Sequence, residues 1–450
     1  MKTISEHSQE QVVLERAFSQ EALVTTAPSR RARGLLRAFI ALRHRNYRLF
    51  WFGQMISLIG TWMQTTGQAW LVLELTHSAW QLGLVGAIQF LPVLLFSIFG
   101  GVFADRWPKR NVLLFTQSAA MIQAAILWGL VASGHVQIWQ VYILALLLGA
   151  TNSLDMPTRQ AFGVEMVGRE DLPNAVALNS SIFNLARILG PGIAGLVIAF
   201  SGVTSLFLFN ALSFIAVIAG LIMIRTRELY AQSGRTGAGK GNGSKTWRSL
   251  REGMTYIRQT PSILLVILVV GMVSLFGINF NVVLPLFATD VLHVGSIGFG
   301  FLSSALGIGS LLSALWIAWG NKQPNIRILL INTLIFSFLL ILFSVSRIYP
   351  LSLALITAIG FSQIAFTTLA NTAIQNVTPD HLRGRVMSVY MAFFAGSTPI
   401  GNLLIGGLSI LSGPSIALLI CALLALSSAL AGWVWRRPAE RDYSTNALLK

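Results

Sequence analysis

The stretch Gly101-Val102-Phe103-Ala104-Asp105-Arg106-Trp107-Pro108-Lys109-Arg110 separates two apolar runs and places three cations in one short polar gap. A bilayer core is crossed by about 20 consecutive apolar residues in a helix. Roughly a dozen such runs follow one another along the 450 residues. Positive charge returns in every second gap. Of the 32 Lys and Arg, all but Arg187 and Arg347 lie in the N-terminal tail, in the gaps after the second, fourth, sixth, eighth and tenth runs, or in the C-terminal tail. Lys and Arg collect on the cytoplasmic side of membrane proteins. Both termini and the central gap are therefore expected in the cytoplasm, which requires an even number of crossings.

Composition agrees. The chain is 54% hydrophobic and 11% charged, against about 25% charged in soluble domains. Backbone groups cannot stay unpaired in lipid, and the alternation of barrel strands is absent, so the spans are expected to be helices. The expected fold is an all-α membrane protein with twelve transmembrane helices, at about 47–73, 81–103, 111–133, 138–160, 173–200, 203–224, 261–289, 297–319, 326–346, 350–375, 384–411 and 414–435. The net charge of +16 would suit nucleic acid in a soluble protein. Its confinement to one side's loops assigns it to the lipid bilayer instead, and no nucleic-acid partner is expected. The single cysteine, Cys421, excludes a disulfide framework and a thiolate metal cluster. No metal or cofactor is expected. Residues 1–36 lack the apolar region of a signal peptide and read as a disordered tail.

The chain divides into a cytoplasmic tail (1–45), an N-terminal six-helix half (46–224), a linker (225–260), a C-terminal six-helix half (261–436) and a second cytoplasmic tail (437–450). The linker contains a Gly-rich run around Gly234–Lys245 and reads as flexible. The halves resemble each other. Glu170-Asp171-Leu172 corresponds to Asp380-His381-Leu382, and Gly190-Pro191-Gly192 to Thr398-Pro399-Ile400, with a two-residue shift between the two matches. Parallel six-helix repeats of this kind build the major facilitator fold.

Gly101, Asp105, Arg106, Lys109 and Arg110 resemble the loop 2–3 signature of the major facilitator superfamily, with Pro108 in place of its second glycine. Gly190-Pro191, followed by Ala194-Gly195, resembles the helix 5 motif of its drug and proton antiporters. The superfamily's Arg-bearing helix 4 signature is not evident. Three further stretches resemble the enterobactin-exporter, or transmembrane secretion effector, branch: Asp155-x-Pro157-x-Arg159-Gln160, then Glu170 through Pro191, and Leu382-Arg383-Gly384-Arg385-Val386-Met387-Ser388. That resemblance implies two pseudo-symmetric halves that rock about a central cavity, lined by helices 1, 4, 7 and 10, and an activity of efflux. It does not name the cargo.

Residues for such a mechanism can be singled out. Asp105 is a candidate gating carboxylate, with Arg106, Lys109 and Arg110 beside it; the same cations also fix topology. Gly190, Pro191 and Gly195 combine a kink with close helix packing, a candidate seal or pivot. Arg187 is the one cation well inside a span, and an intramembrane charge is a functional candidate by default. Binding an anionic substrate and pairing with Asp155 both stay open. Asp155 also has Arg159 at i+4, the spacing of a local structural pair. Proton coupling needs a titratable group exposed to each side in turn. Asp155, Glu74 and Asp290 are the candidates, and none stands out. Helix 1 carries Gln54, Ser57, Thr61, Gln64, Thr65 and Gln68 within about 100° of arc. Helix 10 carries Gln363, Thr367, Asn371 and Gln375 at steps of four. Asn279 and Asn281 in helix 7 point to opposite faces, so at most one lines the cavity. These amides suit a small amphipathic cargo, or bind helix to helix.

The expected function is secondary-active, proton-coupled export of small amphipathic molecules, siderophore- or drug-like, across a bacterial inner (plasma) membrane. An ATP-driven pump is disfavoured because no Gly-x-x-x-x-Gly-Lys-Ser/Thr loop is present. No catalytic pair clusters at one depth, so no enzyme is expected. An importer and a non-transporting membrane sensor with the same fold remain as alternatives.

Overall fold

In the 51-residue helical stretch Leu172–Ile222, Gly202 adopts φ 77°, a left-handed value that favours glycine. The stretch is therefore two crossings, α5 (172–201) and α6 (203–222). Gly413, with φ 81°, makes the equivalent turn in the second half, between α11 (Asp380–Ser412) and α12 (Pro414–Val434). The computed structural model describes residues 39–230, 243–320 and 325–448, and their side chains apart from 96–106, 243–250 and 444–448. The expected disorder of residues 1–36 and most of the Gly-rich run lie outside the described residues.

The remaining spans are α1 (Arg45–Thr76), α2 (Ala79–Arg106), α3 (Lys109–Ala132), α4 (Ile138–Val167), α7 (Pro261–Val291), α8 (Gly295–Trp319), α9 (Ile326–Val345) and α10 (Tyr349–Val377). Eight described helices, Leu172–Ile222 counted once, are long and apolar enough to cross a membrane, and Ala79–Leu95 is a shorter apolar stretch of α2. The other two spans, α1 and α4, carry polar side chains into their centres. Exposed Phe115, Ile122, Ile143, Leu147, Phe200 and Leu212 form part of an apolar outer surface.

Within the N-terminal half, α1 packs on α6 through Gly53, Gly60 and Gly67. A Cβ at these positions would meet Ala216, Ser213 or Leu206 at 2.8 Å or less. Seven-residue spacing puts the three glycines on one stripe, so the backbones approach closely. In the C-terminal half, Gly309 faces the Thr357 carbonyl and Gly360 the Leu306 carbonyl, locking α8 to α10.

The halves meet along two seams, α2 with α11 and α5 with α8, which the internal repeat makes equivalent. Gly83 lies against the Asn402 carbonyl and Gly406 against that of Ala79; Gly195 lies against the Ser296 carbonyl and Gly300 against that of Pro191. The Ser304 hydroxyl donates to the Ile188 carbonyl at 2.6 Å. These approaches all lie in the half of the helices remote from the termini. Leu94 with Gly396 and Arg187 with Gly307 are the deepest of them toward the termini side. Among the described residues, the halves are therefore in close contact on the far side, and no comparable glycine approach joins them on the side that carries the termini.

On the termini side, the turn Ile40–Arg43 is tied to the start of α5. The Ala41 N–H donates to Asn174 Oδ1 at 2.9 Å, Arg43 and His44 reach Asp171 Oδ2 at 2.9 and 2.7 Å, and the Tyr47 hydroxyl donates to the Ala175 carbonyl at 2.8 Å.

Two expectations are corrected, the flexible linker and the unbroken seventh span, and the C-terminal tail is found to be helical. The linker 225–260 is not flexible throughout: Gly243–Gln259 is a helix, because Met254 and Ile257 find an apolar seat while Glu252 pairs with Arg385. The segment 437–450 contains most of the helix Arg436–Leu448, held by the Ser262 hydroxyl donating to Asp442 at 2.5 Å. The seventh span, expected as one helix over 261–289, is broken. Pro261–Gly277 ends, Ile278 and Asn279 leave helical geometry, Phe280–Leu286 resumes, and Phe287–Val291 forms a wide turn. Asn279 Nδ2 takes the Leu275 carbonyl at 2.8 Å, competing with the backbone ladder, and Pro285 removes a donor beyond the break.

Candidate functional site

The polar stripe of α1 divides in two. Gln64 is turned into packing: its Nε2 donates to Gln123 Oε1 at 3.0 Å, and its Oε1 accepts from Asn210 Nδ2 at 2.6 Å. This ties α1 to α3 and α6 rather than lining open space. Gln54 is buried and donates to Asn179 Oδ1 at 3.2 Å; Gln68 is buried as well. Thr61 and Thr65 stay half-buried, their hydroxyls returned to the carbonyls one turn back. On α10, Gln363, Thr367 and Asn371 are half-buried and Gln375 is exposed, donating to Asn371 Oδ1. Asn279 is buried against Gly401 of α11, with its Oδ1 unpartnered, and Asn281 is exposed. Asn279 is therefore closed off from a cavity in this conformation.

Asp155 resolves into the local pair. Its Oδ2 accepts from Arg159 Nε at 2.9 Å and Nη2 at 2.5 Å, and its Oδ1 from the Thr116 hydroxyl and Gln117 Nε2, both at 2.7 Å. The carboxylate is buried, with the Arg159 guanidinium 5.8 Å from the Phe50 ring centroid. Both oxygens are satisfied inside the N-terminal half, so Arg187 is not its partner. Glu74 and Asp290 sit at the far rim. Trp70 Nε1 donates to Glu74 at 2.6 Å, and the Trp70 ring stacks over Phe299 of α8 at 6.0 Å, across the halves. The Thr289 hydroxyl donates to Asp290 at 2.7 Å.

Of the loop 2–3 signature, Gly101, Asp105 and Arg106 have side chains outside those described. Lys109 pairs with Glu165 at 2.5 Å, and Arg110 donates from Nε to the Leu221 carbonyl at 2.7 Å and from Nη2 to the Ile222 carbonyl at 2.9 Å. Both cations thus brace their own half. The helix 5 motif serves two surfaces: Gly190 admits Trp62 of α1, while Pro191 and Gly195 admit Gly300 of α8. It is the seam between the halves.

Arg187 stands at the foot of that seam. Its Nη2 donates to Asn184 Oδ1 at 3.2 Å, and its Nε is buried without a protein partner. A cavity of about 360 Å³ on the termini side, lined by Phe39, Trp51, Asn174, Ser181, Ile182 and Leu185 among others, lies on a different flank of α5 from Arg187.

Sequence reasoning missed Gln123 and Asn210, whose partner Gln64 was seen, and Asn402, buried between α2 and α11 with both amide atoms unpartnered. The recurrence of Gly83, Gly86 and Gly406 was the available signal for that seam.

Comparison with known proteins places this geometry. The family model described as transmembrane secretion effector matches residues 36–448. The chain is 27% identical over 362 residues to the staphyloferrin A transporter of Staphylococcus aureus, covering 79% of this chain and 88% of that one. It is 26% identical to the multidrug efflux pump Tap of Mycolicibacterium fortuitum, covering 81% and 89%. It is 24% identical to the enterobactin exporter EntS of Shigella boydii, covering 84% and 89%. Among solved structures, the nucleoside transporter NupG superposes with a TM-score of 0.68 at 13% identity, covering 88% and 99%, which speaks to the fold. The chain belongs to the transmembrane secretion effector family of the major facilitator superfamily and is a multi-pass membrane transporter of small molecules, not an enzyme.

Proposed function

We propose that this protein exports small amphipathic molecules, siderophore- or drug-like, across a bacterial inner membrane by alternating access coupled to protons. The observation that carries the reading is the glycine packing of the halves on the far side, without a counterpart among the described residues on the termini side. With the termini in the cytoplasm, as the distribution of Lys and Arg indicates, this conformation is the inward-open one, and the outward direction is taken from the relatives. The three relatives bear names of two siderophore transporters and a drug efflux pump over about four fifths of the chain. The rocking surfaces are the glycine-lined seams; Gly101, Asp105 and Arg106 stay assigned to the inner gate on their motif.

Asp155 is the coupling carboxylate we favour over Glu74 and Asp290. It is buried within a span and balanced by a guanidinium that can release it, whereas Glu74 and Asp290 sit at the far rim. Thr61, Thr65, Gln363, Asn371 and Gln375 offer hydrogen bonds to cargo in this conformation, and Gln54, Gln64, Gln68 and Asn279 serve packing.

The test is accumulation of amphipathic dyes, antibiotics and catechol siderophores in efflux-deficient cells. Wild type, Asp105→Asn and an empty vector are compared, each with and without an uncoupler. Lower accumulation with wild type, abolished by the uncoupler and by the substitution, is expected. Higher accumulation with wild type supports import. Cargo binding without any flux supports a sensor.

A further inference from the structure

We propose that Arg187 is the cargo-recognition residue and that the cargo is an organic anion: an amphipathic molecule whose carboxylate or similar oxyanion pairs with this guanidinium. This rests on the export reading above and names its substrate class.

The argument begins on α5. At about 100° per residue, exposed Leu189, Ile193, Leu196 and Phe200 share one flank, the lipid side. Ile188, Pro191, Gly192 and Gly195 form the stripe that meets α8, while Asn179 and Gly190 meet α1. What remains, opposite the lipid flank, carries Ser180, Phe183, Asn184 and Arg187, so Arg187 projects into the space between the halves. Its backbone carbonyl lies against Gly307, the last close approach of α5 and α8 before the helices part toward the termini side. The guanidinium therefore sits where α5 leaves α8, on the face of α5 between its contacts with α1 and α8 and next to exposed Ser180 and Phe183, and not in the cavity on the other flank.

Its electrostatic state is unusual for that depth. A guanidinium has five N–H donors, and among the described residues one is used, on Asn184. Among the described residues no carboxylate lies within ion-pair distance, while Asp155 is fully committed to Arg159, Thr116 and Gln117. The corresponding stretch of α11, Ala395-Gly396-Ser397, supplies no charge. A lone cation at mid-span is costly, and more so once the termini-side ends close over it. An anionic cargo removes that cost and so favours closure only when the site is loaded. Phe183 and Trp62, edge to face at 5.8 Å and about one turn away, give the apolar body of such a cargo an aromatic surface.

The experiment uses the full chain purified in detergent. Melting temperature is followed while titrating 2-naphthoate and 1-pyrenebutyrate and, separately, their methyl esters. The acids are expected to stabilise at concentrations about tenfold to a hundredfold below the esters, as a charged hydrogen-bonded pair implies. In Arg187→Gln that difference is lost; in Arg187→Lys, which keeps the charge without the fork, part is retained. Acids that stabilise no more than their esters in wild type, or an Arg187→Gln variant that keeps the acid preference, overturn the proposal. The wild-type comparison stands even if a variant fails to fold. Acid-selective binding without energised efflux would retain the anion site and reject export. Energised efflux without acid selectivity would do the reverse.

Discussion

Replacing Gly83 by alanine should move the conformational equilibrium without damaging either half. The new methyl would lie 2.4 Å from the Asn402 carbonyl oxygen, and the neighbouring Gly406 approaches the Ala79 carbonyl at 2.7 Å on its own Cβ vector. Side-chain carbons do not come within 3.0 Å of such atoms, so α2 and α11 must separate. Overpacking of this kind costs about 1–3 kcal/mol. The two helices belong to different halves, so rocking that opens the far side relieves the clash. At about 1.4 kcal/mol per decade, the far-side-open population rises roughly fivefold to a hundredfold. Gly360→Ala is the control. Its methyl would lie 2.2 Å from the Leu306 carbonyl, but α8 and α10 share one half, so no rocking relieves it and the cost falls on stability. The assay is spin-label distance measurement between His135→Cys and Arg347→Cys, both exposed on the far side, in a Cys421→Ala background. Gly83→Ala should lengthen the distance with little loss of melting temperature, and Gly360→Ala should lower the melting temperature with the distance unchanged. Identical behaviour of the two variants would refute the view that the glycine seam, rather than general packing, holds the far side shut.

Asp155→Asn leaves the half-buried Arg159 guanidinium without its charge partner, at a cost below the about 3–5 kcal/mol of a fully buried pair; melting in detergent should drop, and adding Arg159→Gln should recover part of it. At Asp171, the hydrogen bond from His44, with the nearby Arg43 charge, holds the carboxyl below its ordinary range. A lowered value means stabilisation that is complete above the ordinary carboxylate range and lost as pH falls through the lowered one. Asp171→Asn should therefore be less stable than wild type at neutral pH, and the two should converge in acid; a gap independent of pH would count against the pairing. Gln64→Leu strands Gln123 and Asn210, each buried, so it should lower melting by an amount matching about 1–3 kcal/mol per stranded group. A loss of cargo binding with unchanged melting would instead return Gln64 to the cavity.

Much of this was legible along the chain because a bilayer is a severe solvent. Helix number and the division into halves follow from apolar length and from where Lys and Arg fall, both local properties. The pairing of Arg159 with Asp155 was readable at i+4 for the same reason. The helix Gly243–Gln259 was hidden because its polar composition outweighed the spacing of its few apolar residues, which acquire a partner only where α10 ends and α11 begins.

The amides show the limit most clearly. Gln64 and Thr65 are neighbours on one polar stripe of α1, and nothing in their spacing separates them. Gln64 is claimed by Gln123 and Asn210, 59 and 146 residues away, and Thr65 stays half-open. Arg187 and Asp155 are likewise a reasonable ion pair on paper, until Thr116, Gln117 and Arg159 take every acceptor position Asp155 offers. Residue type and period determined that these groups would be inside a helical membrane bundle. Which of them bind one another and which are left for a ligand was decided only when distant helices came into contact, because a hydrogen bond needs its partner within about 3 Å and the chain itself records no such distance.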